Sequence, residues 1–183
     1  MAYNMKDVFY LDTAIDTSTS TGDGLATLDL SSYVDPIARG RSKGTGLAIY
    51  KVHFDICDDD GNSPVAASAT GTFRAGLMSI TGIAAGAVGS VALNTNTLNA
   101  SNDLMIAGVD FFAGGTAAGA PAPNPFLDPS PEVPYVVVRD QVALILNVTT
   151  AMSAGASVKV RMECAQVTLD QATLNQLLRT QTV

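Results

Sequence analysis

Apolar and charged side chains alternate most regularly between Leu47 and Cys57, where Val52, Phe54 and Ile56 are interleaved with Lys51, His53 and Asp55. A period of two places the first set on one face of a strand and the second on the other. The Asp58–Asn62 run that follows contains Asp60-Gly61, a hairpin dipeptide, so Pro64–Phe73 is expected to be the returning strand. Upstream, Leu28, Leu30 and Val34 give Leu25–Val34 the pattern of a half-buried strand that Asp35-Pro36 ends. Weaker strand patterns cover Leu77–Ile83, Val88–Leu93 and Leu104–Phe112. Tyr135–Val138 and Val142–Thr149 are β-branched or aromatic, with a turn or bulge at Arg139-Asp140-Gln141 between them. The last strand is Ala156–Thr168, in which Val158, Val160 and Met162 alternate with Lys159, Arg161 and Glu163. About eight short strands separated by turn signals predict an all-β fold, a single jelly roll or β-sandwich with its body over residues 25–168.

Three segments fall outside this pattern. Residues 1–24 are expected to form an extended N-terminal arm, because Phe9, Leu11 and Ile15 are its few apolar anchors and Thr17–Gly24 is a polar run. Residues 113–134 hold six prolines and a Gly/Ala run, Gly114–Gly119, which predicts a long exposed loop with no regular element. Residues 169–183 are predicted to be a short helix and tail. Thr168 and Gln171 fit a capping box, and Leu174, Leu177 and Leu178 make an apolar stripe that needs a surface to dock on.

Composition sharpens the picture. Of the 183 residues, 47% are hydrophobic and only 15% charged, against about 25% charged in an ordinary soluble domain. A surface so poor in charge is expected to be covered by partners or to meet lipid. The net charge of −7 argues against tight, non-specific nucleic-acid binding, which needs clustered cations, and no direct sequence-specific binding is expected. The small basic run Arg39, Arg41, Lys43 sits among Gly and Ser and reads as a solvated loop. No charged residue occurs from Ala75 to Asn102, and Ala75–Leu93 is long enough for a membrane span. Its four glycines and three hydroxyl side chains, without flanking cations or aromatic belts, favour buried strands with Gly-rich turns. The N-terminal MAYNMKDVFY lacks the apolar core of a signal peptide. The sequons at Asn99 and Asn147 would need a secretory route to be glycosylated. Cys57 and Cys164, each in an alternating apolar segment, read as buried free thiols.

Candidate chemistry is sparse. The single histidine, His53, falls on the polar face of its strand and has no sequence-evident catalytic partner. Asp58, Asp60 and Asn62 offer oxygen ligands of the kind Ca²⁺ takes, but the EF-hand spacing around Gly61 and its closing Glu are missing, so a turn without metal is expected. No phosphate-binding or nucleophile-elbow motif is present, and the residues indicate neither enzyme nor cofactor.

The layout resembles that of viral single jelly-roll capsid proteins. The resemblance lies in Ala26–Val34, the basic Gly-rich loop after it, Leu47–Ile56, the arm and the late Pro-rich loop. It implies a self-assembling shell subunit of an icosahedral virion, whose partners are copies of itself and other virion proteins. The arm carries Lys6 against Asp7, Asp12, Asp16 and Asp23, unlike the basic arms of capsid proteins that condense single-stranded genomes. That departure points to the small upright jelly rolls of DNA viruses with an internal membrane, and hence to a membrane contact. The expected subunit contacts are Phe9, Leu11 and Ile15 in the arm, Pro125 and Phe126 in the loop, and Leu174, Leu177 and Leu178 in the helix. The alternative is a binding module, such as a phage decoration or fibre protein or a carbohydrate-binding sandwich. The absence of Trp weighs against the sugar-binding version.

Overall fold

The computed structural model describes residues 7–17, 19–35, 43–80, 98–117 and 121–181. The expected strand at 88–93, most of the uncharged 75–93 stretch, and Arg39 and Arg41 lie outside them. Among the described residues the strands are β1 (Phe9–Asp16), β2 (Gly22–Asp29), β3 (Lys43–Asp58), β4 (Thr70–Ile80), β5 (Met105–Gly114), β6 (Ala122–Leu127), β7 (Tyr135–Val137), β8 (Gln141–Thr150) and β9 (Ala156–Asp170). They form two antiparallel sheets, sheet A in the order β1-β9-β3-β7 and sheet B in the order β2-β8-β4-β5-β6.

The pairing is that of a jelly roll. With β6 set aside, the first strand pairs with the last (β1 with β9), the second with the one before it (β2 with β8), then β3 with β7 and β4 with β5. The chain is one long antiparallel ribbon rolled up so that alternate pairs fall in opposite sheets. Ladders β3–β9 and β4–β8 seal the roll. The inner faces meet in a core that includes Leu47, Ile49, Phe73, Leu77, Val109, Phe111, Leu144, Leu146, Val158 and Met162. No helix among the described residues is long and apolar enough to cross a membrane, and the described part of the uncharged stretch, from Ala75 to Ile80, belongs to β4.

A β-bulge explains a break in the best sequence signal. Leu47 and Ile49 face the core from odd positions, whereas Val52, Phe54 and Ile56 face it from even ones. The register against β9 slips between Ile49 and Lys51. One extra residue, Tyr50, changes the parity of every side chain beyond it. Sheet B departs from simple alternation for another reason. The outer face of β4, β5 and β8 carries a second apolar cluster of Met78, Ile80, Met105, Ala143 and Ile145, closed by Leu98. With both faces covered, these strands read as continuous apolar runs.

Four expectations are corrected. First, the arm is not an arm from residue 9 onward. Phe9–Asp16 is an edge strand of sheet A, paired residue for residue with β9, and Gly22–Asp29 pairs with β8. The alternation Phe9, Leu11, Thr13, Ile15 supplies an inward face once β9 is there to receive it.

Second, the acidic turn does not lead into a hairpin. Gly61, at φ +72, donates to the Asp58 carbonyl (2.9 Å) and the Asp58 N–H donates to Ser63 O (2.8 Å), but the chain then crosses to sheet B. On the edge of β3 away from β9, β7 pairs only with Leu47–Ile49, and beside the turn a single isolated bridge, Cys57 with Pro64, is all that forms before the chain leaves. The expected strands at 64–73 and 77–83 become the single strand β4, beginning at Thr70.

Third, the 113–134 segment contains β6. Pro123 and Pro125 are two residues apart, so their nitrogens face the same side. An edge strand tolerates them when that side is turned to solvent. Fourth, β9 runs on to Asp170, and Asp170 rather than Thr168 caps helix α1 (Gln171–Thr180), its carboxylate accepting the Thr173 N–H at 2.7 Å. That bond holds the Asp170 carboxyl below its usual range.

The helix docks on its own subunit. Leu174 is fully buried, and its Cδ2 lies 2.8 Å from where a Cβ on Gly44 would sit, so Gly44 makes room for it. Beyond the last turn, Gln181 pins the helix to both sheets. Its side-chain oxygen accepts from Val138 N (3.2 Å) and Ser79 Oγ (3.4 Å), and its amide donates to Val136 O (2.7 Å).

Candidate interaction surfaces

The outer face of sheet A gathers charge in a chain that has little. Cross-strand register puts Tyr10, Glu163 and Lys51 in one row, Asp12, Arg161 and His53 in the next, and Ala14, Lys159 and Asp55 in the third. These are the outward positions of β1, β9 and β3, opposite the apolar positions that fill the core. Here the Arg161 guanidinium lies 5.1 Å from the centroid of the Tyr10 ring. His53 Nε2 is 2.8 Å from Glu163 Oε1, and Lys159 Nζ donates to the Gly61 carbonyl at 2.7 Å. Lys51 apart, the side chains of these rows line an open depression of about 860 Å³. At its β3 border, Asp128 Oδ1 accepts the Val52 N–H at 3.2 Å. Partial withdrawal from water raises the Asp128 carboxyl above its ordinary pKa, a shift opposed by that hydrogen bond and by the charges of Lys51 and His53.

The outer face of sheet B is built differently. Arg74 grips Asp110 with two hydrogen bonds, of 2.6 and 2.7 Å, and donates a third to the Leu98 carbonyl at 3.1 Å. The bidentate bond raises the guanidinium pKa further. The Phe126 ring lies 4.5 Å from the Arg74 guanidinium carbon. A Cβ on Gly108 would fall 2.2 Å from Phe126 Cζ, so only glycine lets that ring lie flat on β5. Nearby, Phe112 is 60% exposed at the end of β5 that pairs with Ala122.

These placements redistribute the expected contact residues. Phe9 stacks on Tyr33, with ring centroids 5.1 Å apart, and Leu11 and Ile15 pack on the main core. Leu174 is buried inside its own chain, which removes it from any contact between copies. Phe126 is half-buried against Arg74 and Gly108. Pro125 is exposed on β6, and Leu177 and Leu178 are half-buried. Among the described residues, the large apolar side chains left exposed are Tyr10, Phe112 and Val133, none of them singled out from the sequence. Tyr10 could have been found from the alternation of β1. Phe112 could not, because Phe111 beside it is buried and only the register of β5 tells the two apart.

In the acidic turn, Asp58 Oδ1 accepts the N–H groups of Asn62 (3.3 Å) and Ser63 (3.2 Å), and the Asn62 amide donates to Asp60 O (3.1 Å). Asp58 is thus engaged within the turn through a carboxylate oxygen, Asn62 through its amide nitrogen and Asp60 through its main-chain carbonyl. No group of three or more metal-ligating side chains occurs among the described residues. Both cysteines are buried and free, and burial, with the Glu163 charge adding to it, pushes the Cys164 thiol up to about 12.

No family model matches the chain, and no curated protein matches it. Among solved structures it is similar to VP1 of Trichodysplasia spinulosa-associated polyomavirus in complex with GM1 oligosaccharide. The TM-score is 0.48 at 8% identity, over 93% of this chain and 97% of that one. A likeness so distant carries no functional argument, and the jelly-roll assignment rests on the strand order itself.

Proposed function

We propose that this chain is a structural protein that assembles with copies of itself into a closed shell, as a subunit of a virion. The observation that supports it most is the placing of two exposed apolar side chains, one on sheet B and one in the connection beyond it. Phe112 lies at the Ala122 end of the β5–β6 pair, and Val133, 74% exposed, lies in the connection beyond the Leu127 end. A single partner would cover one patch. Two exposed apolar side chains in separate segments suit head-to-tail contacts, in which one surface of a subunit meets a different surface of the next, and such contacts form rings or shells when the rotation between subunits closes. The low charge of the chain fits the same reading.

Prolines at 123 and 125 keep β6 from donating hydrogen bonds to a further strand, so growth by uncontrolled edge pairing at sheet B is blocked on that side. Pro125, Leu177 and Leu178, partly or wholly exposed, remain on the proposed contact surface. Other shell proteins and an underlying membrane are the further partners this reading implies.

The test is particle formation by wild type, Phe112→Asp and Val133→Asp, followed by sedimentation velocity and negative-stain electron microscopy. Both substitutions place a charge on an exposed side chain, so the melting temperature should hold while assembly is lost or changes geometry. Particles unchanged by either substitution would remove the support for this reading.

A further inference from the structure

We propose that the outer face of sheet A is a binding site for a neutral saccharide. The inference is independent of the shell reading. It starts from an imbalance in how the charges on that face are used. Asp12 is the register partner of Arg161, and Asp55 that of Lys159, and such cross-strand pairs ordinarily neutralise one another. Among the described residues, however, the only ion pair on this face is His53–Glu163. Arg161 is drawn over the Tyr10 ring, and Lys159 is held by the Gly61 carbonyl. The carboxylates of Asp12 and Asp55 therefore keep their acceptor capacity around a depression whose centre is a guanidinium.

The chemistry of the lining selects the ligand. Tyr10 is 55% exposed and braced by Arg161, so it offers a ring against which the C–H face of a sugar can lie. Planar carboxylates, a guanidinium and an imidazole suit the paired hydroxyls of a pyranose, and hydrogen bonds to charged groups are about twice as strong as neutral ones. Three carboxylates, Asp12, Asp55 and Glu163, stand against three permanent cations, Lys51, Lys159 and Arg161. The face thus has no excess of positive charge to attract an acidic sugar. The depression, about 860 Å³, falls in the size range of small-molecule sites.

The experiment is retention of the labelled full-length chain on an array of immobilised neutral, sialylated and uronic-acid oligosaccharides. Retention on neutral saccharides is expected, with at least a tenfold loss in Tyr10→Ala and in Arg161→Ala and none in Phe112→Ala. Asp12→Asn with Asp55→Asn turns the balance of the face positive and should admit the acidic saccharides. Because the chain has no Trp, its tyrosine emission gives a second readout on the wild-type protein when a retained saccharide is titrated free in solution. No retention of any neutral saccharide, retention of acidic ones alone, or retention undiminished in both Tyr10→Ala and Arg161→Ala would overturn the assignment. Retention by a chain that forms no particles would leave this site standing while the shell reading fell.

Discussion

Replacing Gly108 by Ala tests whether the Pro-rich segment is docked or loose. The added Cβ would lie 2.2 Å from Phe126 Cζ and 2.6 and 2.7 Å from the two Cε atoms. Ordinary carbon contacts begin near 3.5 Å, so the ring must retreat by more than an ångström. It cannot do so without leaving the Arg74 guanidinium, 4.5 Å away, or lifting β6 from β5. Overpacking of this kind costs about 1–3 kcal/mol, and loss of a partly exposed cation–π contact adds on the order of 0.5–1 kcal/mol. Urea denaturation of the wild type, Gly108→Ala, Phe126→Ala and the double variant forms a cycle. With the ring gone, Gly108→Ala should be neutral or stabilising, since alanine suits a strand better by roughly 0.5–1 kcal/mol. The coupling between the two sites should therefore exceed about 1 kcal/mol. A Gly108→Ala protein as stable as the wild type would show that Phe126 does not lie on β5. The 113–134 segment would then be the exposed loop its prolines suggest.

Leu174→Ala, at a fully buried position under Gly44, should cost about 2–5 kcal/mol and release the helix to proteolysis ahead of the sheets; a cost below about 1 kcal/mol would mean the helix docks elsewhere. Folding raises the Asp128 pKa, so the folded state holds that proton more tightly than the unfolded one. The favourable contribution is complete below the ordinary carboxylate pKa and is lost as pH rises through the raised value. Asp128→Asn should therefore melt higher than wild type at neutral pH, with the gap closing below about pH 4, whereas a gap that widens in acid would reverse the sign of the argument. Millimolar Ca²⁺ should leave the melting temperature unchanged, because Asp58 is occupied by backbone N–H groups. An ion bound at a hundred times its Kd would instead add about 2.7 kcal/mol, an increment that Asp58→Asn with Asp60→Asn would abolish.

What could be read from the sequence depended on whether a strand has one wet face. β3 and β9 do, and Lys51, His53, Asp55, Lys159, Arg161 and Glu163 mark it, so both strands and their inward residues were legible. The strands of sheet B have apolar cover on both sides over part of their length. Alternation is lost there, and β4 was divided between two expected strands. β1 alternates as cleanly as β3, but an edge strand with a polar run after it cannot be told from an arm until its partner, which lies at the far end of the chain, is known. β6 was hidden by prolines that are forbidden in a central strand and tolerated at an edge. Of the candidate surfaces, the polar face of β3 was legible as polar. Its meeting with Tyr10 and Asp12 was not, because only the rolled topology brings β1 alongside β9.

Self-association is tested most directly by the mass of the full-length chain in solution. Light scattering coupled to size exclusion, run over a wide range of concentration and salt, should find discrete assemblies of many copies of the 18.8 kDa chain. Because the proposed contacts are apolar, added salt should not dissolve them. A single species of monomer mass at every concentration and ionic strength would contradict the account.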